Sequence, residues 1–422
     1  MISNFFNPKS IAIIGASDHS EKVGGILMKR AIKSKAKIIP INPSHDSLFN
    51  IKCYKKIQDY KDKIDLAVIA IPKNYVSEAI EDCGKKGIKN IIIISAGFTE
   101  IGDLEAEKRI IETAKKCNIR FIGSNCFGIC NPRENLDLTF SISTPKVGEI
   151  AFISQSGALW SSISDISIGK FGFSSFVSLG NMADLEFSDF IEYFSNDKNT
   201  KAIVLYIEGL KKGRRFIEVS KKSKKPIFVV KAGSSKQGSK AAFSHTGSIA
   251  TDYEIYKSAF KQANVNLCSS ILEAFEKAIG EKILEKKTYT KKIILRKNLD
   301  IITNGGGAAA IFSDYLAEKN IKVESVNDVI GTALAEDYRK ALEKLESDKT
   351  KEANSIIVIL TPQSMSEIEK TAQVISDFKK QTKKELIAIF FGGESMKPAN
   401  KIFENNKLHF FNTLEEARDA VI

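Results

Sequence analysis

At 422 residues, 43% of them hydrophobic and 27% charged, the chain has an ordinary globular composition and too much length for one hydrophobic core, so two or three domains are expected. Its net charge of +12 comes largely from lysine pairs on what read as solvated helix faces. Without aromatic interleaving or a recognition motif, that charge makes no case for nucleic acid and suits attraction of an anionic metabolite.

The first segment alternates strand and helix. Apolar runs at Ser10–Ile14, Lys37–Ile41, Asp65–Ile71, Asn90–Ser95 and Arg120–Ile122 read as strands, with helices near Gly24–Ser34, Tyr75–Gly87 and Leu104–Asn118. Continuous apolar strands between amphipathic helices predict a parallel sheet covered on both faces, a Rossmann-like domain over residues 1–125. Its ligand is expected beyond the carboxyl ends of the strands. The first loop there, Gly15 to Gly25, has glycines for a tight turn, with Ser17 to donate to a phosphate and Lys22 to neutralise it. It does not match G-x-G-x-x-G, which argues against a nicotinamide dehydrogenase. His19 reads as an exposed loop residue.

A second α/β unit, residues 126–286, has strands at Glu149–Ser154, Ser174–Ser178, Ala202–Tyr206, Pro226–Lys231 and Val265–Cys268. Its helices fall near Ala158–Gly169, Glu186–Asn196, Gly213–Ser223, Asp252–Gln262 and Ile271–Lys282. Between the fourth strand and Asp252 lies Phe243-Ser-His-Thr-Gly247, read with Ala232–Lys240 as a loop. The basic run Glu285–Lys292 reads as a linker. A third unit, residues 287–422, has strands at Asp300–Thr303, Ser355–Leu360, Glu385–Phe391 and Leu408–Phe411. Helices are expected near Ala308–Lys319, Asp337–Glu346, Ser364–Phe378 and Leu414–Val421.

The second and third units open alike. Ser154-Gln155-Ser156-Gly157 and Asn304-Gly305-Gly306-Gly307 each follow an apolar strand and start a helix, with side chains small enough for backbone N–H groups to approach a phosphate. A phosphoryl group on His245 would carry about two negative charges, which two helix ends can hold without a metal. Glu208, at a strand's carboxyl end, can bind the other imidazole nitrogen and raise the nucleophilicity of the attacking one. The bland alternatives are an exposed loop residue for His245 and a surface or helix-capping carboxylate for Glu208.

The remaining signals are bland. No apolar run approaches the roughly 20 residues of a membrane span, and the N-terminus lacks the basic and apolar regions of a signal peptide. A cytoplasmic protein without a membrane role is expected. The cysteines lie far apart except Cys126 and Cys130, which have no nearby partners for a zinc site and read as buried or weakly reactive thiols.

In order and spacing, a run of motifs resembles the alpha subunit of the nucleoside-diphosphate-forming acyl-CoA synthetases and, more distantly, succinyl-CoA synthetase. They are Ile13-Ile-Gly-Ala-Ser17, Pro40-Ile-Asn-Pro43, Ser95-Ala-Gly-Phe98, Gly123-Ser-Asn-Cys-Phe-Gly128, Ser154-Gln-Ser-Gly-Ala158, Gly180-Asn-Met-Ala-Asp184, Ile207-Glu-Gly209, Ser244-His-Thr-Gly247, Thr303-Asn-Gly-Gly-Gly307, Leu360-Thr-Pro-Gln363 and Phe391-Gly-Gly393. The resemblance implies a Rossmann-like CoA-binding domain followed by two flavodoxin-like doubly wound domains. It implies that acyl-CoA, ADP and phosphate are interconverted with acid, CoA and ATP through an acyl phosphate and a phosphohistidine. It makes His245 and Glu208 catalytic, Ser154 to Gly157 and Asn304 to Gly307 phosphate-binding, and Gly15, Ser17, Lys22, Asn42, Ser95, Ala96 and Gly97 contacts of CoA, with no metal ligands in the chain. Because no length remains for an ATP-grasp domain, it also implies a separate ATP-grasp beta subunit, an alpha2beta2 assembly, and Mg²⁺ entering with the nucleotide. Ser124 stands where the family has proline and reads as a local backbone change. Val326 to Gly331 is shorter than the family's segment and receives no role. A non-catalytic CoA-binding scaffold would need neither His245 nor the paired helix starts. An acetyltransferase would need a further domain.

Overall fold

Three mainly parallel sheets, each flanked by helices, follow one another along the chain in a computed structural model. It describes residues 2–246, 252–283, 293–295, 298–348 and 353–421, the side chains of 243–246 excepted. The linker expected over Glu285–Lys292 lies outside the described residues.

In the first sheet β1 (Ser10–Ile14), β2 (Lys37–Ile41), β3 (Leu66–Ile69), β4 (Asn90–Ile93) and β5 (Arg120–Ile122) stand in the order β2-β1-β3-β4-β5. All are parallel, with Ile13 paired to Pro40 on one side and Val68 on the other. Helices α1 (Val23–Ala31), α2 (Val76–Lys85) and α3 (Leu104–Lys116) cover it. These eight elements fall within a few residues of those expected.

The second sheet departs from expectation at one edge. After the first sheet the chain makes an antiparallel hairpin, β6 (Gly128–Asn131) and β7 (Leu136–Thr139), before β8 (Val147–Ser154), β9 (Phe173–Ser178), β10 (Ala202–Ile207), β11 (Ile227–Lys231) and β12 (Asn266–Leu267). The order is β12-β11-β10-β8-β9-β6-β7, and β6 runs antiparallel to β9. The Pro132-Arg-Glu-Asn135 turn and the short strands hid this hairpin from periodicity. Its role is joining: Arg30 at the end of α1 pairs with the buried Asp137 and donates to the Ser141 carbonyl, tying the first unit to the second.

The helices here are α4 (Gly157–Ile166), α5 (Phe187–Asn196), α6 (Gly213–Lys222), α7 (Lys236–Thr246), α8 (Tyr253–Gln262) and α9 (Ile271–Ile279). Helix α7 corrects the sequence reading. Residues 236–246, read as a loop around His245, are helical, and the backbone of His245 lies in the last turn. Gly238, Ser239 and Ser244 within it, after the Gly233-Ser-Ser235 turn, weaken the helical pattern.

The third sheet contains β13 (Asn298–Thr303), β14 (Lys322–Asp328), β15 (Ser355–Leu360), β16 (Glu385–Phe390) and β17 (His409–Phe411) in the order β14-β13-β15-β16-β17. Its helices are α10 (Gly306–Glu318), α11 (Ala335–Ser347), α12 (Ile368–Lys379), α13 (Lys397–Asn405) and α14 (Leu414–Ala420). Strand β14 and helix α13 were not expected. The former is a half-exposed edge strand whose apolar residues are too few for a core signal. The latter has Pro398 in its first turn, where proline is tolerated.

Helix α10 is buried from Gly306 to Leu316, because it lies between the second and third units rather than on a surface. One continuous core spans them, joining Phe152, Trp160, Phe176 and Phe275 to Leu299, Ala308, Phe312 and Ile357.

Candidate functional site

Open parallel sheets bind ligands outside the carboxyl ends of the strands, where the strand order reverses. In the first sheet that point lies between β1 and β3, in the second between β8 and β10, in the third between β13 and β15. The loops leaving those strands are Gly15 to Lys22 with Ala70 to Pro72, Gln155–Ser156 with Glu208–Gly209, and Asn304–Gly305 with Thr361 to Gln363.

The two helix starts share one design. Ser154 Oγ donates to the Ser156 carbonyl at 2.7 Å and accepts from Ser156 N at 3.1 Å; Thr303 Oγ1 makes the same pair with Gly305 at 3.2 and 3.0 Å. The next side chain holds the neighbouring strand. Gln155 Oε1 accepts from Glu208 N at 2.6 Å and Gly209 N at 3.0 Å, and Asn304 Oδ1 accepts from Thr361 N at 2.8 Å. The Asn304 amide also donates to the Thr361 carbonyl and to Gln363 Oε1. Its side chain is therefore committed within the protein, and the backbone N–H groups are what this turn offers an anion.

The helix starts stand edge to edge. A Cβ on Gly307 would lie 2.6 Å from Ser156 Oγ, and one on Gly305 would lie 3.0 Å from Ala158 Cβ, so glycine sets the approach. Ser156 Oγ is buried and has no hydrogen-bond partner among the described residues. Both starts open on a cleft of about 670 Å³ lined by Gln155, Gly157, Ala158, Asn304 and Gly305, and, from the first unit, by Ser95, Ala96 and Gly97. No Lys or Arg is among its described lining residues, and the two helix ends bring about half a positive charge each to its wall. Ser154, Ser156, Gly306 and Gly307 are buried behind the wall.

The proposed CoA contacts divide. Ser95, Ala96 and Gly97 face the cleft. Ser95 Oγ also donates to the Ile71 carbonyl at 2.6 Å, joining two loops at the switch point. Gly15, Ser17, Lys22 and Asn42 lie outside that lining, on and beside the loop entering α1. Gly15 has φ +91°, and a Cβ there would meet the Ala70 carbonyl oxygen at 2.3 Å. Ser17 Oγ accepts from His19 N at 3.1 Å, and Asn42 spans from the Ala16 carbonyl to Ser44 N, both at 2.8 Å. Lys22 is exposed.

Glu208 is buried at the end of β10, its backbone fixed to the Gln155 turn. Burial, and then the charge and hydrogen bond of Glu208, push the Tyr206 phenol well above its ordinary range, while Tyr206 Oη donates to the Gly307 carbonyl at 3.2 Å. The His245 side chain and residues 247–251 lie outside the described residues, so the pairing of His245 with Glu208 stays an expectation.

The sequence reading gave Lys231 no role. This lysine ends β11, is buried, donates to the Ala232 carbonyl and stands 4.5 Å over the Tyr256 ring. Burial pulls its amine down to about 8 from 10.5, against the opposing attraction of Glu208 and Asp314. A lysine closing a buried parallel strand was the available signal. Because the folded value lies below the unfolded one, the unfolded chain binds more protons from about pH 8 to 10.5, and this group stabilises the fold progressively as pH rises through that window. The unfolding free energy of the wild type relative to Lys231→Met is expected to climb there by about 1.4 kcal/mol per pH unit. Denaturant titrations at several pH values check it; a flat difference contradicts the depressed amine.

Other cleft residues were also missed. Asp328, Ile330 and Gly331 line the cleft, although Val326 to Gly331 was given no role. Ile330 is exposed at φ 65°, a left-handed conformation costing a β-branched residue about 1–3 kcal/mol, held by Val329 N on the Thr303 carbonyl and Ile330 N on Asp328 Oδ1. Glu100 accepts from Gly97 N and Phe98 N and takes a 2.7 Å bond from Asn181 Nδ2. Ser124 does more than replace a proline: its hydroxyl donates to Glu107 at 2.8 Å. Burial pushes the Cys126 thiol up to about 12 and the Cys130 thiol well above its ordinary range.

A family model described as a CoA binding domain matches residues 9–132, and one described as a succinyl-CoA ligase like flavodoxin domain matches residues 147–279. The chain is 36% identical, over 100% of its length and 96% of the relative's, to the alpha subunit of ADP-forming acetate–CoA ligase II of Pyrococcus furiosus. It is 46% identical over 75% of its length to the ADP-forming acetate–CoA ligase of Methanocaldococcus jannaschii, of which it spans 44%. Among solved structures it is similar to the dinucleotide-forming acetyl-coenzyme A synthetase 1 of Candidatus Korarchaeum cryptofilum in complex with phosphate and ADP. That match has a TM-score of 0.64 and 32% identity, and covers 100% of this chain and 95% of that one. With a CoA-binding Rossmann unit, a paired helix-start cleft and full-length relatives of this kind, the chain belongs to the family of ADP-forming acetate–CoA ligase alpha subunits.

Proposed function

We propose that this chain performs the acyl-transfer and phosphoryl-capture half of an ADP-forming acyl-CoA synthetase, with acetyl-CoA as the acyl donor. The observation that carries the reading is the abutment of two similarly built helix-start turns on one cleft that also takes in the Ser95-Ala96-Gly97 loop of the CoA-binding unit. A phosphate oxygen attacks the thioester carbonyl carbon, the C–S bond breaks, and the CoA sulfur leaves with the phosphate's proton. A nitrogen of His245 then attacks phosphorus, the P–O bond to the acyl group breaks, and acetate leaves. Transfer of the phosphoryl group to ADP restores the histidine.

In this reading Ser154 to Gly157 and Asn304 to Gly307 hold phosphate, Glu208 orients His245, and Gly15, Ser17, Lys22, Asn42 and Ser95 to Gly97 hold CoA. The chain divides near residues 125 and 286 into its CoA-binding and two flavodoxin-like domains. An ATP-grasp beta subunit in an alpha2beta2 assembly would bind the nucleotide. Mg²⁺ would enter there with the nucleotide, whose phosphates it bridges. No described helix is long and apolar enough to cross a membrane, and a cytoplasmic site of action is part of the proposal. The test is a coupled assay for ATP from acetyl-CoA, ADP and phosphate. Turnover is expected only when the chain is mixed with its ATP-grasp partner. Turnover by the chain alone, or none with any acyl-CoA in a panel, would sink the reading.

A further inference from the structure

The third unit holds the start of helix α7, which bears His245, through one buried carboxylate. Asp314, in α10, accepts from Gly233 N at 2.8 Å and Ser234 N at 3.1 Å through Oδ2, and from Ser235 N at 2.8 Å and Ser235 Oγ at 2.7 Å through Oδ1. It thereby satisfies three consecutive backbone donors that lead into the helix. The fit is tight, since a Cβ on Gly238 would lie 1.9 Å from Asp314 Oδ1. One residue into α7, Gln237 reaches across as well, donating to the Ser313 and Ile321 carbonyls and accepting from Val323 N.

The same clamp recurs in the opposite direction. Asp165, in α4 of the second unit, accepts from Gly393 N at 2.6 Å, Ser395 N at 3.2 Å and Ser395 Oγ at 2.6 Å, just before α13 of the third unit. Each aspartate stands eight residues after the glycine that opens its helix, Gly157 to Asp165 and Gly306 to Asp314. Each grips a Gly-x-Ser turn that follows a strand of the other unit. The two clamps are one pseudo-symmetric device, and only one holds a helix with a histidine.

We propose that Asp314 is the positioning residue that sets where the far end of α7 presents His245. The inference rests on the phosphohistidine reading above. At 1.5 Å per residue, His245 lies about 14 Å along the axis from the clamped end, so a tilt of about 5° there moves it by about 1 Å. A displacement of that size costs a positioned reaction up to about 10²-fold. Because Asp314 belongs to α10, whose start follows Asn304 and Gly305, one packed helix joins the phosphate turn to the helix that brings the nucleophile.

The experiment compares Asp314→Asn with Asp165→Asn in the full chain with its partner, supplied with acetyl-CoA and radiolabelled inorganic phosphate. Two quantities are followed: phosphate-dependent release of CoA thiol, and acid-labile, alkali-stable label on the chain. Asp314→Asn is expected to lower labelling at least about tenfold while thiol release stays within about twofold, and Asp165→Asn to change labelling by less than about threefold relative to thiol release. A merely structural clamp would lower both quantities together, or both variants alike, and either result overturns the proposal. If Asp314→Asn does not fold, Ser235→Ala, which removes one of the four bonds, is expected to show the same split at about two- to fivefold, and an unchanged ratio overturns it. His245→Asn separates the two readings. Label persisting in that variant removes the phosphohistidine and this inference with it. Label lost there but intact in Asp314→Asn removes the positioning role alone.

Discussion

The His245→Asn variant is expected to lose acid-labile phosphate incorporation altogether and to fall in coupled turnover by at least about 10³-fold, roughly 4 kcal/mol of transition-state stabilisation. Asparagine keeps a polar side chain of similar reach but cannot accept a phosphoryl group, so the loss reports chemistry rather than folding. The backbone of this residue is in the last turn of α7, anchored at its other end by Asp314, and the substitution leaves that anchorage untouched. CoA binding, measured by calorimetry, should stay within about twofold, because the unit that matches a CoA binding domain is built on another sheet. Persistent turnover in the variant would move the phosphoryl carrier elsewhere.

Glu208→Gln is expected to slow phosphorylation of the histidine by about 10²-fold, within the range that a positioned acid–base partner contributes. Glutamine matches the shape of Glu208 and keeps the backbone bonds from Glu208 N and Gly209 N to Gln155. What disappears is the negative charge, which in the proposed mechanism stabilises the His245 imidazole as it becomes cationic on attack. Lys231 and Tyr206, whose ionisation Glu208 influences, should respond as well: without the carboxylate the Lys231 amine loses an attraction that holds it up, and its titration moves to lower pH. Rapid-quench labelling gives the rate, and a change below about threefold would return Glu208 to a structural role.

How much of this was legible before folding differs from element to element. The core strands and covering helices of all three sheets declared themselves, because strands buried on both faces are continuous apolar runs and covering helices repeat every three to four residues. Elements without such a signature were missed: the β6–β7 hairpin, edge strand β14, helix α13 and α7, whose apolar residues are too few for a stripe. The last matters most, since it changes the setting of His245 from a loop to a helix end.

The amino-acid sequence by itself determined the α/β class, the order of the units, the family resemblance and the repeated hydroxyl–amide–glycine turn. Each of these is a local pattern, readable over a few residues or a helical period. Tertiary structure alone decided which of those patterns meet. It set Ser156 against Gly307, committed the Asn304 amide to Thr361 and Gln363, and placed Asp328 and Ile330 at the cleft. It also buried Lys231 and carried Asp314 across to Gly233, 81 residues away in the chain. Contacts of that separation depend on how one sheet docks against another, which a shared core and small residues at its seam fix and which no single stretch of sequence encodes.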